Sequence, residues 1–348
     1  MELKKISNKN KELSILLLKA RTFIVLILLI CVFAFLEPKF ISWNSIISVS
    51  KHVARYAILA IGMTFVIVSG GIDLSVGSVA GLSGMIAGML IKNGIVFRSQ
   101  GVVVYMNIVL VVVIAVFIGA LIGLVNGLAV SKLKVPAFIV TLGTANIARG
   151  CALLSNAGAT FPSLIGKAEY HNTGFPFLGS GNILGIPVII WTMIVLAIIS
   201  AYVFTKTPLG WHVYATGGNE KAARLSGINT DNTKLFVFIF SAACAALTGV
   251  FAAAELEAAH PATGDGWEMN AIAAAVLGGT SMMGGMGNIG GTIIGAFVIG
   301  VLTDGMVMMG ISSFWQQIIK GIVIIAAVVL DQSQRNLQRK VALTRKDG

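Results

Sequence analysis

Apolar residues dominate this chain in long continuous runs, broken by short polar segments. The runs fall at 22–36, 53–69, 75–92, 103–130, 138–154, 187–204, 234–254, 268–283, 288–309 and 314–330. A membrane-crossing helix needs about 20 mostly apolar residues, fewer where a helix is broken or its ends snorkel. Backbone N–H and C=O groups must be paired within lipid, so the runs predict helices. Strict alternation of apolar and polar residues, the mark of a membrane β-barrel, is absent. The expectation is an all-α polytopic membrane protein with about ten transmembrane helices, some of them discontinuous.

Charge orients the spans. Lys4, Lys5, Lys9, Lys11, Lys19 and Arg21 precede the first run, and Arg335, Arg339, Lys340, Arg345 and Lys346 follow the last. The first run ends in Leu36-Glu37-Pro38 rather than small residues, so it is expected as an uncleaved span. Ten spans put both termini on one side, and Lys and Arg favour the cytoplasm. Lys132, Lys134 and the segment 205–233 then face the cytoplasm. Residues 255–268, with Glu255, Glu257, Asp265 and Glu268 but no Lys or Arg, face outward, as does the loop 155–186. Lys39 and Lys51 in the outward segment 37–52 run against the pattern. The predicted organisation is a basic tail (1–21), one transmembrane domain (22–330) and a second basic tail (331–348). The expectation from charge is a multi-pass membrane protein with both termini in the cytoplasm.

The segment 205–233 is a charged island between two apolar runs. Its centre, Gly217, Gly218, Asn219, Glu220, Lys221, Ala222, Ala223, Arg224, Leu225, Ser226 and Gly227, reads as a short helix. Asn219 can cap its start by accepting from a free backbone N–H, and Gly227 can end it, because glycine tolerates positive φ. Ala222 and Ala223 would let another surface approach closely. The island is either a contact surface for a cytoplasmic partner or a solvated loop that touches nothing.

Two glycine-rich stretches interrupt the runs. The first, SGGIDLSVGS (69–78), carries Gly70, Gly71, Asp73, Ser75 and Gly77. An ionisable residue there is costly unless it meets water or a partner. Asp73 or Ser75 could cap a helix beginning near 75 at the membrane edge, and the stretch could be a hinge or pathway element in a broken helix. Asn126, Thr141 and Asn270, polar residues in or beside apolar runs, join these as hinge or pathway candidates. The second stretch, LGGTSMMGGMGNIGG (277–291), also carries Gly-Gly pairs.

Composition agrees with the pattern: 56% of the 348 residues are hydrophobic and 11% charged, against about 25% charged in soluble domains. The net charge of +11 clusters at span ends, which fits membrane orientation rather than nucleic acid. Cys31, Cys151 and Cys244 have no metal-ligand spacing, and no phosphate-binding G-x-x-x-x-G-K-[ST] loop or nucleophile constellation occurs. The four histidines lie in or near predicted loops. No metal or cofactor is expected on this chain.

Five stretches together resemble one family. They are AIGMTFVIVSGGIDLSVGS (60–78), VPAFIVTLGT with ARG shortly after (135–150), GGNEKAARLSGIN (217–229), MNAIAAAVLGGTSMMGGMGNIGGTIIGA (269–296) and FWQQIIKGIVIIAAVVLD (314–331). In this order they are similar to the membrane permease subunits of ribose-type monosaccharide ABC importers. The resemblance implies a type II ABC importer-like permease fold. It implies a second permease chain, expected as a homodimer, a cytoplasmic ATPase that uses ATP and Mg, and an extracytoplasmic sugar-binding protein. It places the coupling helix at 218–227. The pattern departs at Met269-Asn270, where the family often carries Leu-Asp, so no fixed charge is expected there. A branched-chain amino acid permease and an ion-driven secondary transporter are the alternatives. The second would need intramembrane carboxylates as relays, and Asp73 and Asp304 are expected near span ends.

Overall fold

The computed structural model describes residues 22–97, 99 and 101–344, so the N-terminal basic tail and residues 345–348 lie outside the described residues. The expected apolar runs are helices. They are α1 (Thr22–Leu36), α2 (Trp43–Val68), α3 (Val76–Lys92), α4 (Ile108–Ser131), α5 (Ala137–Leu154), α7 (Val188–Lys206), α10 (Thr230–Glu255), α11 (Trp267–Leu277), α12 (Ile289–Met308) and α13 (Ser313–Thr344). Three short helices complete the set: α6 (Phe175–Ser180), α8 (Pro208–Gly218) and α9 (Glu220–Leu225). Among the described residues, six helices are long and apolar enough to cross a membrane, and four shorter apolar helices occupy the other expected runs. The protein is an all-α, multi-pass membrane protein.

Several boundaries differ from expectation, and α13 runs on to Thr344, past the expected end at 330. Helix α2 begins ten residues before the apolar run, because Ser42 caps it by accepting from Ser45 N. In its first turn Ser45 Oγ donates to Lys39 O. Residues 102–104 are not helical: Ile95–Phe97 and Val102–Val104 pair as an antiparallel hairpin, which suits β-branched side chains. Helix α4 starts only where Asn107 caps Leu110 N. The expected run 268–283 is a half-span. Helix α11 stops at Leu277, and Gly279 turns the chain at φ +90.

Helices α2, α10 and α12 form the core. Of the α2 apolar window, 78% is buried inside the protein, against 22% for α4, α5 and α7, whose outer faces suit lipid. Helix α10 packs on α2, α3 and α4, and α12 packs on α2 and α11. Close crossings depend on small residues. Gly249 lies against the Ala80 backbone, and Gly123 against Phe238 and Ala242. Such contacts let helices approach where no hydrophobic force drives them together in lipid.

The loops group by end as charge predicts. Lys134, between α4 and α5, reaches Asp231 at the start of α10. At the opposite end, Phe161 bridges Ala259, and Leu164 N donates to Glu257 O, joining the two loops expected outside. Lys51, which ran against the charge pattern, lies 3.5 Å from Glu255, and Arg55 pairs with the same carboxylate.

Candidate functional site

Helix α9 is built as its residues dictate. Asn219 Oδ1 accepts from Ala222 N at 3.0 Å. At the other end Gly227 adopts φ +85, Ile228 N donates to Ala223 O, and Gly227 N donates to Arg224 O. This 6→1 and 5→2 pair satisfies carbonyls left free by the last turn. Six residues alone would not hold a helix in water; ion pairs to neighbouring segments do. Lys234 Nζ donates to Glu220 Oε2 at 2.6 Å, and Arg224 Nη2 donates to Asp231 Oδ1 at 2.7 Å and to Glu220 Oε1 at 3.2 Å. Lys134 Nζ donates to the same Asp231 oxygen at 2.8 Å. Burial alone would raise the pKa of Glu220, but hydrogen bonding to Lys234 and Arg224 outweighs it and holds the carboxyl below its usual range.

The sequence reading needs one change here. Glu220 and Arg224 do not stand free; they clamp α9 to the start of α10. Ala223 is buried against its own chain, so it cannot meet a partner, whereas Lys221, Ala222, Leu225 and Ser226 face out. Leu225 is 91% exposed.

Beneath α9 the three glycine-rich segments converge. A β-carbon on Gly217 would overlap the Val68 carbonyl at the end of α2, and Gly285 N donates to that carbonyl at 2.8 Å. Tyr214 of α8 donates to Gly287 O at 2.6 Å. Helices α2 and α11 end alike. Gly70 and Gly279 take left-handed φ, and the following N–H groups, of Gly71 and Thr280, reach back to Val66 O and Ala275 O. Sequence comparison of the two Gly-Gly stretches hinted at likeness, but not that both touch α8.

From Gly70 the chain turns inward rather than along a membrane edge. Asp73 and Ser75 are fully buried. Asp73 Oδ1 accepts from Ser75 N at 3.0 Å and Ser75 Oγ at 2.6 Å, and Oδ2 accepts from Ser241 Oγ at 3.0 Å. Ser241 lies eleven residues into α10, roughly 16 Å along the helix. The network continues: Asn126 Nδ2 donates to Ser75 Oγ, Thr144 Oγ1 donates to Asn126 Oδ1, and Thr141 Oγ1 donates to Ile72 O. Thus four candidates, Asp73, Ser75, Asn126 and Thr141, meet in one interior cluster. Ser75 occupies the N-cap position of α3 without a capping side-chain bond, so the Asp73 carboxylate holds the turn before the helix rather than capping its first turn. Gly77, one residue into α3, packs on Gly264 O from the loop after α10 and on the side chain of Glu268 in the first turn of α11. Asn270 sits apart on α11, nearly buried. Sequence reading missed two partners, Ser241 and Thr144, because a hydroxyl within an apolar run carries no signal of where it points.

Asp304 is also interior, and its Oδ1 lies 2.7 Å from His52 Nδ1. No group of three or more His, Cys, Asp or Glu suited to a metal ion occurs among the described residues.

Residues 45–328 match the family model described as branched-chain amino acid transport system / permease component. The ribose import permease protein RbsC of Haemophilus influenzae is 40% identical over 92% of this chain and 95% of its own length. That of Bacillus subtilis is 38% identical over 91% and 93%. The D-allose transport system permease protein AlsC of Escherichia coli is 34% identical over 90% and 91%. No solved structure matches.

Proposed function

The chain belongs to the branched-chain amino acid transport system / permease component family, and on that premise we propose that it forms the translocation pathway of an ATP-driven monosaccharide importer. Relatives named for ribose import and for D-allose transport support a pentose or hexose over an amino acid. In this reading a separate cytoplasmic ATPase, using ATP and Mg, docks on α9, and an extracytoplasmic binding protein delivers the sugar. The membrane is the bacterial inner membrane, with the α9 face in the cytoplasm.

The observation that carries the reading is the contact of Gly217 with Val68 and the Gly284–Gly285 turn. It joins α8, the helix that leads into α9, to the end of α2 and to the turn between α11 and α12. Residues 205–233 then act as the coupling loop. Gly70, Gly71, Asp73, Ser75, Gly77, Asn126 and Thr141 form the pivot about which the spans rock, and Asn270 lies along the pathway. Each partner must bind one conformation better than the other, since equal affinity shifts nothing. A second permease chain is supported by the outer face of α5. There Asn146 is exposed on an apolar helix, and the space beside Gly143 and Gly150 is open. An amide in lipid is costly, and a second copy would cover it.

Reconstitution tests this. The chain alone in liposomes should neither hydrolyse ATP nor take up sugar uphill; adding the ATPase and loaded binding protein should give both. Uphill uptake by the chain alone under an H⁺ or Na⁺ gradient would establish the ion-driven alternative instead.

A further inference from the structure

A cavity of about 320 Å³ opens beside α9, between the turn Ser69–Gly71 that ends α2, the α4–α5 loop and the start of α10. Its size falls within the range of small-molecule sites, ~300–1,000 Å³. Lys134 and Lys234 line it from opposite elements, with Glu220 beside them. Around it, four cations, Lys132, Lys134, Arg224 and Lys234, share two carboxylates, Glu220 and Asp231. The cluster therefore carries an excess of two positive charges.

Each ammonium has three N–H donors. Lys134 and Lys234 each spend one on a carboxylate. The Lys234 side chain is only 16% exposed, so few of its remaining donors reach bulk water. Lys134 adds strain: its φ is +58, a left-handed backbone that costs a non-glycine residue energy and clusters at functional positions. Surface lysines at a membrane edge need none of this; here the half-exposed Lys134 and the largely buried Lys234 converge on one open-mouthed cavity.

We propose that this cavity binds a phosphate monoester. Its charge of about −1.5 to −2 matches the excess, and its three oxygens suit the unused donors. The source is either a small phosphorylated metabolite or the headgroup of a monoester lipid such as phosphatidic acid. Bound there, it ties the α4–α5 loop to α9 and α10 and holds the docking element still. Only that consequence for transport rests on the reading above. Binding is a property of this chain alone.

The purified full chain in phosphatidylcholine nanodiscs should melt at higher temperature with glycerol 3-phosphate or inorganic phosphate if the source is soluble. It should melt higher only in nanodiscs containing phosphatidic acid if the source is lipid. Lys134→Gln should weaken binding roughly tenfold, the value of one charge-assisted hydrogen bond. Ala137→Phe, which fills the cavity without altering charge, should abolish it. No stabilisation from any of these probes, or stabilisation that either variant leaves intact, overturns the proposal.

Discussion

Gly217 of α8 packs directly on the carbonyl of Val68, the last residue of α2, so closely that a β-carbon there would overlap the oxygen. A β-carbon on its neighbour Gly218 would meet open space. The pair makes an internal control. Gly217→Ala must separate α8 from α2 and disturb the Gly285–Val68 hydrogen bond. It should lower melting temperature and, in the assembled transporter, uncouple ATP hydrolysis from uptake. Gly218→Ala should do neither. Equal effects from the two would show that backbone approach at 217 is not what matters.

Asp73 accepts three hydrogen bonds in a fully buried position. Asp73→Leu leaves those donors without a partner, at about 1–3 kcal/mol each. Asp73→Asn keeps one oxygen for Ser75 and should be the milder change. Ser241→Ala removes a single bond and should cost on the order of 1 kcal/mol. Thermal unfolding in detergent ranks the three. An Asn variant as damaged as Leu would mean that the charge itself is required.

The helices were legible because lipid imposes length and apolarity on each span, and the grouping of loops at two ends was legible from their charge. The short helix at 220–225 was legible from its capping residues, Asn219 and Gly227. What escaped was depth and direction. Asp73 looked like an edge residue, because its flanking glycines signal a break but not whether the chain then turns inward. Ala223 looked like contact surface because a short helix surrounded by charge has no evident buried side. The pairs Glu220–Lys234 and Arg224–Asp231 decide which side is inward, and they are tertiary.

That correction changes which residue tests docking. Ala223→Trp would force a large ring into the chain's own interior and should reduce expression. Leu225, almost wholly exposed, is the informative site. Leu225→Glu should leave melting temperature unchanged while abolishing stimulation of the ATPase. Full stimulation with Leu225→Glu would remove the outer face of α9 from the interface.

Sidedness has a direct test. Cys31, Cys151 and Cys244 are free and are first replaced by serine or alanine. New cysteines at Lys221 and Ala262, both exposed, should react from opposite sides of the membrane with an impermeant maleimide. In intact cells only Ala262→Cys should be labelled. Labelling of Lys221→Cys under the same conditions would invert the orientation.

The clamp on α9 should weaken in acid. Glu220 is held below its ordinary pKa by Lys234 and Arg224 against the opposing effect of burial. Its contribution is therefore fully present above the unfolded carboxylate pKa, about 4.3. It is lost as pH falls through the lower folded value. Near neutrality the clamp is intact, so transport should show no dependence on Glu220 ionisation there. Because the Glu220 side chain is 36% exposed, solvent screens the pair, and a double-mutant cycle of Glu220→Gln with Lys234→Gln should give no more than about 1 kcal/mol. That is small for the fold, but it acts on a six-residue helix with little stability of its own. Glu220→Gln should thus leave global melting nearly unchanged while increasing hydrogen exchange in 219–227 and lowering coupling. Unchanged exchange in that segment would show that the caps, and not the ion pairs, hold α9 in place.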